Sequence, residues 1–194
     1  MGISNRRPPL ARLMAFIDGG YLREQCKRKI KTDTINFNIL RDRLEGSFTA
    51  NCRGKYSGDL TRVYYYDAMV DHSDPEYDEQ NKWFSKIKSI NGFEVRLGRL
   101  VRTGQNKNGP FKQKGVDTKL AIDMISKAYQ GQYDFALLLA GDNDFLDLVE
   151  AVKDSNRRVY GFYFIDNVSK ELLDSFDQKI PIDNFVNELN RTDY

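Results

Sequence analysis

Two runs of this chain, FALLLA at 135–140 and VYGFYF at 159–164, are almost continuously apolar. A strand buried on one face alternates apolar with polar residues, whereas a strand covered on both faces need not. Short unbroken runs of this kind therefore read as central strands of a parallel sheet. The segment between them carries Phe145, Leu148, Val149 and Val152 at spacings of three and four, with Asp147, Glu150 and Asp154 largely outside that stripe. That is the pattern of a helix laid by one side on a sheet. A strand, a crossover helix and a second buried strand commit the chain to an α/β architecture.

The rest of the chain extends this order. Strands are expected at 13–18, 62–69 and 93–98 besides 134–140 and 158–164, and helices at 20–30, 36–45, 75–90, 117–130, 143–154 and 168–177. The tail IPIDNFVNELNRTDY adds a last short helix, with Pro181 and Asp183 as its start signals. Two segments rich in Gly, Asn and Lys, 49–59 and 102–115, lack periodicity and read as loops or irregular hairpins. The expected fold is a three-layer α/β arrangement with a mostly parallel central sheet flanked by helices. A length of 194 residues suits one domain. That domain is expected over 12–190, with 1–11 as a flexible N-terminal extension.

Composition removes several chemistries. The single histidine, His72, lies in the turn-like VDHSDPE and reads as ordinary loop packing, so histidine-based nucleophile systems and multi-histidine zinc sites have little to draw on. Cys26 and Cys52 have no paired metal spacing and make no disulfide framework, which suits a reduced, cytoplasmic setting. No stretch has the apolar length of a membrane span, and the N-terminus lacks a signal-peptide cleavage region. Its MGISN start has Arg6 where a myristoylation signal needs Ser or Thr. Neither GxGxxG after the first strand nor a phosphate-loop motif is present, so nicotinamide-cofactor and P-loop readings fall. AGDNDF is no nucleophile elbow either.

Acids, by contrast, recur where open parallel sheets bind their ligands, beyond the carboxyl ends of the strands. LMAFIDGG ends its apolar run at Asp18, and YYYDAM places Asp67 near the end of another. ALLLAGDNDF puts Asp142 and Asp144 directly after a buried strand, and Asp117 in KGVDTKLAIDMI opens a helix. Each has a plain alternative role: Asp18 and Asp142 can cap the helices that follow, and Asp67 can end its strand or orient a neighbour. Asp142 and Asp144 together concentrate more charge than one cap requires, and a bound cation would relieve their repulsion. Carboxylate oxygens suit Mg²⁺ or Mn²⁺, which can activate water for attack on a phosphodiester. Asp18, Asp117, Asp142 and Asp144 are the candidate catalytic and metal-binding residues. Asp123, six residues beyond Asp117, has a poor same-face spacing and fits a salt bridge or supporting role.

The ordered set AFIDGGYL at 15–22, YYYDAM at 64–69, KGVDTKLAIDMI at 114–125, LLLAGDNDFLDLVEAVKDSNRRVYGFYF at 137–164 and SKELLDSFD at 169–177 resembles the NYN/LabA-like branch of the PIN-like ribonucleases. It spans about 160 residues. The resemblance implies a compact α/β fold whose acids gather at one sheet edge and bind Mg²⁺ or Mn²⁺ for RNA cleavage. By motif, the acids carried over are Asp18, Asp117 and the pair Asp142 and Asp144, with Asp123 in a supporting position. The chain departs from the pattern at Tyr21, where many relatives have asparagine, and at Asn143, where a small hydroxyl is common.

Charge is uneven along the chain, which separates polymer from small-molecule readings. Residues 1–62 hold 13 Lys and Arg against 6 Asp and Glu, residues 93–119 hold 7 against 2, and residues 120–194 hold 7 against 14. The basic stretches can line a groove for phosphates. The expected RNA contacts are Arg23, Lys27, Arg28, Arg99, Arg102, Lys112 and Lys114, with Tyr21 as a stacking group and Tyr56 and Phe111 as weaker candidates. Lys29, Lys31, Arg96 and Lys107 belong to the same runs, and a solvated surface is the ordinary alternative for all of them. The reading that follows is a metal-dependent ribonuclease, endonucleolytic on single-stranded or locally unpaired RNA. Its alternatives are a related structure-specific DNA nuclease, a nucleic-acid-binding or scaffolding protein of the same fold without turnover, and a hydrolase of small phosphate esters. Either a monomer or a homodimer is allowed; the resemblance and the large aromatic inventory incline toward the dimer.

Overall fold

β1 (Leu10–Asp18) sets the frame, because its side chains alternate between two buried layers: Leu13, Ala15 and Ile17 enter one, Met14 and Phe16 the other. A strand covered on both faces must lie inside its sheet. β1 pairs in parallel with β2 (Ser57–Met69) on one side and β5 (Phe135–Leu139) on the other. With β3 (Phe93–Arg102), β4 (Phe111–Lys114), β6 (Arg158–Tyr163) and β7 (Gln178–Pro181), the sheet has seven strands in the order β4-β3-β2-β1-β5-β6-β7. Every neighbouring pair is parallel except β3 with β4. The molecule, seen here in a computed structural model, is described over residues 7–102 and 111–190, apart from the side chains of Arg102 and Phe111. Lys107, most of the expected 102–115 loop, the start of the expected N-terminal extension and the last four residues of the tail lie outside the described residues.

Helices complete three layers, as the sequence predicts. α1 (Gly19–Ile30), α2 (Phe37–Asn51) and α3 (Tyr77–Lys88) bury Leu22, Leu40, Leu44, Phe48 and Phe84 against one face. α4 (Val116–Tyr129), α5 (Leu146–Asp154) and α6 (Lys170–Ser175) bury Leu120, Met124, Val149, Val152 and Leu172 against the other. In α5 the three-four stripe is buried while Asp147, Glu150 and Asp154 face solvent. Phe16 shows what the second layer contributes: fully buried, it stacks on Tyr64 at 5.5 Å and meets the edge of Tyr133 at 5.7 Å. Truncating such a ring to alanine costs about 3–5 kcal/mol. Most aromatic side chains pack within the single chain in this way, and Tyr129 is the one aromatic among the large exposed hydrophobics of the described residues. Among the described residues most of the inventory is thus absorbed by the chain's own two buried layers, which weakens that argument for a dimer.

Several boundaries differ from the expected ones, each for a local reason. β1 starts at Leu10, taking in the last two residues of the expected extension, because Ala11 is buried and the Pro9 carbonyl accepts from the Ser57 N–H. α2 runs on to Asn51 and β2 begins at Ser57, so the expected loop 49–59 shrinks. β3 continues to Arg102, beyond its expected end at 98, and pairs with β4, so both ends of the expected loop or irregular hairpin at 102–115 belong to an antiparallel ladder. The helix expected at 143–154 opens as a 3₁₀ turn, Asn143–Phe145, before α5. The one expected at 168–177 stops at Ser175, and the chain then adds β7 at the sheet edge. The tail holds 3₁₀ turns, Ile182–Asn184 and Val186–Asn190, in place of an α-helix.

One consequence of the strand order governs function. From β1 the chain moves outward to β2 and β3, and it later returns beside β1 as β5 before moving outward the other way. α1 leaves β1 toward one face of the sheet and α5 leaves β5 toward the other. The chain therefore parts at the carboxyl ends of β1 and β5, where open sheets of this kind form a crevice.

Candidate active site

Asp18 is the last residue of β1 and the N-cap of α1, where its Oδ1 accepts from the Tyr21 backbone N–H at 3.0 Å. The two glycines after it permit close packing: a Cβ on Gly19 would come within 2.4 Å of the Tyr65 ring, and one on Gly20 within 2.9 Å of the Gln113 amide. Asp142, beyond β5, caps the 3₁₀ turn by accepting from the Asp144 N–H at 3.1 Å. Gly141 before it lies against the Tyr21 ring and the Asn167 carbonyl, which a Cβ would meet at 2.4 and 2.5 Å. Asp117 stands in the first turn of α4, whose N-cap Gly115 has φ 77°, a left-handed conformation that glycine adopts without strain.

These three acids line one cleft of about 900 Å³ at the crevice. Asn143 and Gln113 also line it, with Tyr21, Arg23, Glu24 and Lys27 from α1 on one rim and the segment from Asp166 to Ser169 on another. Asp144 is exposed next to the cleft rather than in its lining, and its charge is felt there. Burial pushes the Asp18 carboxyl up to about 6, with further contributions from the charges of Asp117 and Asp67. Asp117 stands at the open rim, yet the surrounding protein strips enough water to raise its pKa, and Asp142 and Asp144 raise it further. Acids that raise one another's pKa in this manner form one electrostatic group.

The donor set is all oxygen and carries excess negative charge, which fits a hard divalent ion. Among the described residues, no three carboxylate, imidazole or thiolate side chains converge closely enough to hold an ion unaided. A Mg²⁺-sized ion does not require such a cage: it keeps several waters and is commonly held by one or two carboxylates together with a substrate phosphate. Asp18, Asp117 and Asp142 are the residues placed to supply those carboxylates.

Other sequence candidates fall into distinct positions. Asp67 is fully buried and forms a two-point ion pair with Arg23, Nε to Oδ2 and Nη2 to Oδ1, each at 2.8 Å. It also accepts from the Tyr65 hydroxyl at 3.1 Å and the Ala68 N–H at 2.8 Å, so its oxygens are committed to holding Arg23. Arg23, steadied in addition by the Trp83 ring at 5.6 Å, lines the cleft from that anchored position. Asp123 accepts from the Tyr66 hydroxyl at 2.9 Å and pairs with Lys127 and Arg96, outside the cleft lining. Asn143 accepts from the Ser169 hydroxyl at 3.1 Å and is held in the lining by it.

Tyr21 belongs to the wall. Its hydroxyl donates to the Asn167 carbonyl and accepts from the Phe164 N–H, while its ring meets Phe164 edge-on. Lys27 lines the rim while pairing with Asp33 at 2.8 Å, and exposed Arg28 stands 4.0 Å from Glu24. Lys112 and Lys114 are exposed on β4, where Lys114 pairs across the ladder with Arg99. Arg99 faces a neighbouring cleft rather than this one. The Arg102 side chain lies outside the described residues.

Polar lining residues absent from the sequence candidates include Glu24, Gln113, Asp166, Asn167 and Ser169. The loop holding the last three follows β6, so the same attention to strand carboxyl ends that picked out Asp18 and Asp142 could have found it. Gln113 carried no signal, because β4 itself had none.

Comparison with known proteins places the chain. A family model described as the NYN domain matches residues 12–183. The curated Low amplitude and bright protein LabA of Synechococcus elongatus is 23% identical over 137 residues, covering 70% of this chain and 69% of that protein. A crystal structure of a Vibrio parahaemolyticus protein of unknown function superposes with a TM-score of 0.58 at 20% identity, covering 94% of this chain and 98% of that one. At that identity the structural likeness speaks for the fold. No helix among the described residues is long and apolar enough to cross a membrane.

Proposed function

Because this chain belongs to the NYN-domain family, a family of nuclease-like, RNA-related proteins, we propose that it is a Mg²⁺- or Mn²⁺-dependent ribonuclease cutting single-stranded or locally unpaired RNA endonucleolytically. One observation carries the reading. Asp18, Asp117 and Asp142, brought from three separate segments, line a single cleft at the parting of β1 and β5, and burial, with neighbouring acidic charges adding to it, raises the pKa values of Asp18 and Asp117. Perturbed acids gathered along one crevice are the arrangement expected of a functional site.

In this reading one or two of Asp18, Asp117 and Asp142 would hold the ion together with a substrate phosphate, and the ion would supply charge neutralisation at the phosphodiester and acidify water. Asp144 adds negative potential beside them. Arg23, kept in one orientation by Asp67, contacts a phosphate oxygen of the strand, since a guanidinium fixed beforehand loses little freedom on binding. Lys27 extends the cationic rim, and the amides of Gln113 and Asn143 orient the nucleotide or its water by hydrogen bonds. The cleft opens to solvent at its acidic rim, which suits a strand passing through and hence internal cleavage. A cytoplasmic protein is the setting in which the two buried, unpaired cysteines remain reduced.

The test is incubation of end-labelled RNA and DNA panels with Mg²⁺, Mn²⁺ or chelator, alongside Asp18→Asn and Asp142→Asn. Metal-dependent RNA products that both substitutions abolish are expected. Equal cleavage by either variant would sink the assigned site. The wide spacing of the acids gives the second reading its support: a nucleic-acid-binding or scaffolding protein of the same fold, revealed by RNA binding without turnover in every metal.

A further inference from the structure

A second cleft, of about 890 Å³, opens at the carboxyl ends of β2 and β3. We propose that it is a nucleobase-binding subsite, taking the base of a nucleotide on the same RNA strand whose phosphate lies in the acid cleft. The inference rests on the ribonuclease reading and adds to it a determinant of substrate choice.

Three observations point to a base. The cleft is lined by a ring pair, His72 and Tyr77, with centroids 4.0 Å apart and the Tyr77 hydroxyl 3.2 Å from His72 Nε2. The two rings brace each other, and His72 is exposed, so a flat π surface is offered at little ordering cost. Apolar side chains, among them Met69, Leu97 and Val101, complete the lining. Val101 is among the few large hydrophobics left in contact with solvent. A planar, partly apolar ligand covers such a surface; a bare phosphate does not.

Charge within the cleft sorts base from backbone. Asp71 and Asp74 line one side and repel phosphate, while acceptor groups of this kind suit the exocyclic amines of a base. Arg99 stands exposed in the same lining and can stack on a base or meet the phosphate entering beside it. Exposed Lys112 and Lys114 on β4 continue the cationic side.

Position ties the two clefts to one strand of RNA. Leu100, in the lining of this cleft, is paired directly across the β3–β4 ladder with Gln113, in the lining of the acid cleft. Opposed residues of an antiparallel pair lie about 5 Å apart. The clefts therefore adjoin at this ladder, and a chain leaving the acids past Gln113 reaches Leu100 and, next to it, Arg99.

The experiment uses the full chain in chelator, with short single-stranded RNAs carrying one abasic position stepped along their length, and reads affinity by fluorescence anisotropy. The expected result is a loss of roughly tenfold at one or two positions, the scale of one base stacked on aromatic groups. Paired His72→Ala and Tyr77→Ala substitutions are expected to bind intact RNA as weakly as wild type binds the abasic strand, and to show no further loss with it. Should that variant fold poorly, photocrosslinking of 4-thiouridine RNA to the wild-type chain gives an independent reading, with adducts expected in 69–77 or 97–101. A flat abasic scan, or adducts confined to other segments, overturns the subsite while leaving metal-dependent cleavage standing. Absence of any RNA binding or cleavage overturns the ribonuclease reading and the subsite with it.

Discussion

The two ends of β1 and β5 treat carboxylates in opposite ways. At the amino end, Asp134 accepts from the Arg12 backbone N–H at 2.9 Å and from Arg12 Nη2 at 2.7 Å, with Arg157 Nη1 at 3.4 Å. Those partners hold its carboxyl below the usual carboxylate range, the Arg12 side chain most of all. At the carboxyl end, Asp18 makes no ion pair among the described residues, and burial and neighbouring acids drive it the other way. The first arrangement ties two strands together. The second holds negative charge beyond what the cap of α1 requires, a cost that the proposed cation site would account for.

Neutralising the carboxyl end should have the largest effect. Asp18→Asn and Asp142→Asn are expected to lower RNA cleavage by at least about 100-fold, the lower bound for losing a positioned catalytic group. Gel analysis of matched amounts of folded protein checks this.

The same Asp18→Asn change should make the protein more stable. A folded pKa of about 6, above the ordinary 3.8, means that the folded state is favoured at low pH and loses stability as pH rises through that window. Asparagine escapes the loss and caps a helix as well as aspartate does. Denaturant melts should show a gain of roughly 1–3 kcal/mol at pH 7 that vanishes near pH 4. No gain at pH 7 would break the contrast between the two ends.

Asp134→Ala tests the opposite end. Its depressed pKa contributes stability above the unfolded value that is lost as pH falls through the folded one. The pair is partly exposed, so a loss of about 1 kcal/mol at pH 7 is expected. Cleavage per folded molecule should be unchanged. The smallest effect belongs to Tyr21→Phe, which keeps the ring and removes the bridge between Phe164 and Asn167. About 1 kcal/mol or slightly less of stability should go, and a loss of cleavage beyond the unfolded fraction would assign the hydroxyl a part in the chemistry.

What the sequence revealed divides along the same axis. β1, β5 and β6 are legible because strands covered on both faces are apolar throughout, and the aspartates that end them follow as punctuation. β4 and β7 are four-residue edge strands with sequences FKQK and QKIP, whose identity comes from the neighbour they pair with and not from any periodicity. Asp67 reads like Asp18, an acid near the end of an apolar run. What separates them is Arg23, 44 residues away in sequence, which neutralises one and not the other. Asp123 is similar: the helical spacing set it apart from Asp117, but only the fold supplies Tyr66, Arg96 and Lys127 around it.

Both margins of the sheet end in those short strands. β4 carries exposed Lys112 and Lys114, and β7 carries exposed Gln178 and Lys179 before closing on Pro181, which has no N–H to offer a further ladder. A brief, charged border gives a stray strand little to template on. A chain so rich in buried β-structure thereby offers its own copies little edge to extend, even when crowded.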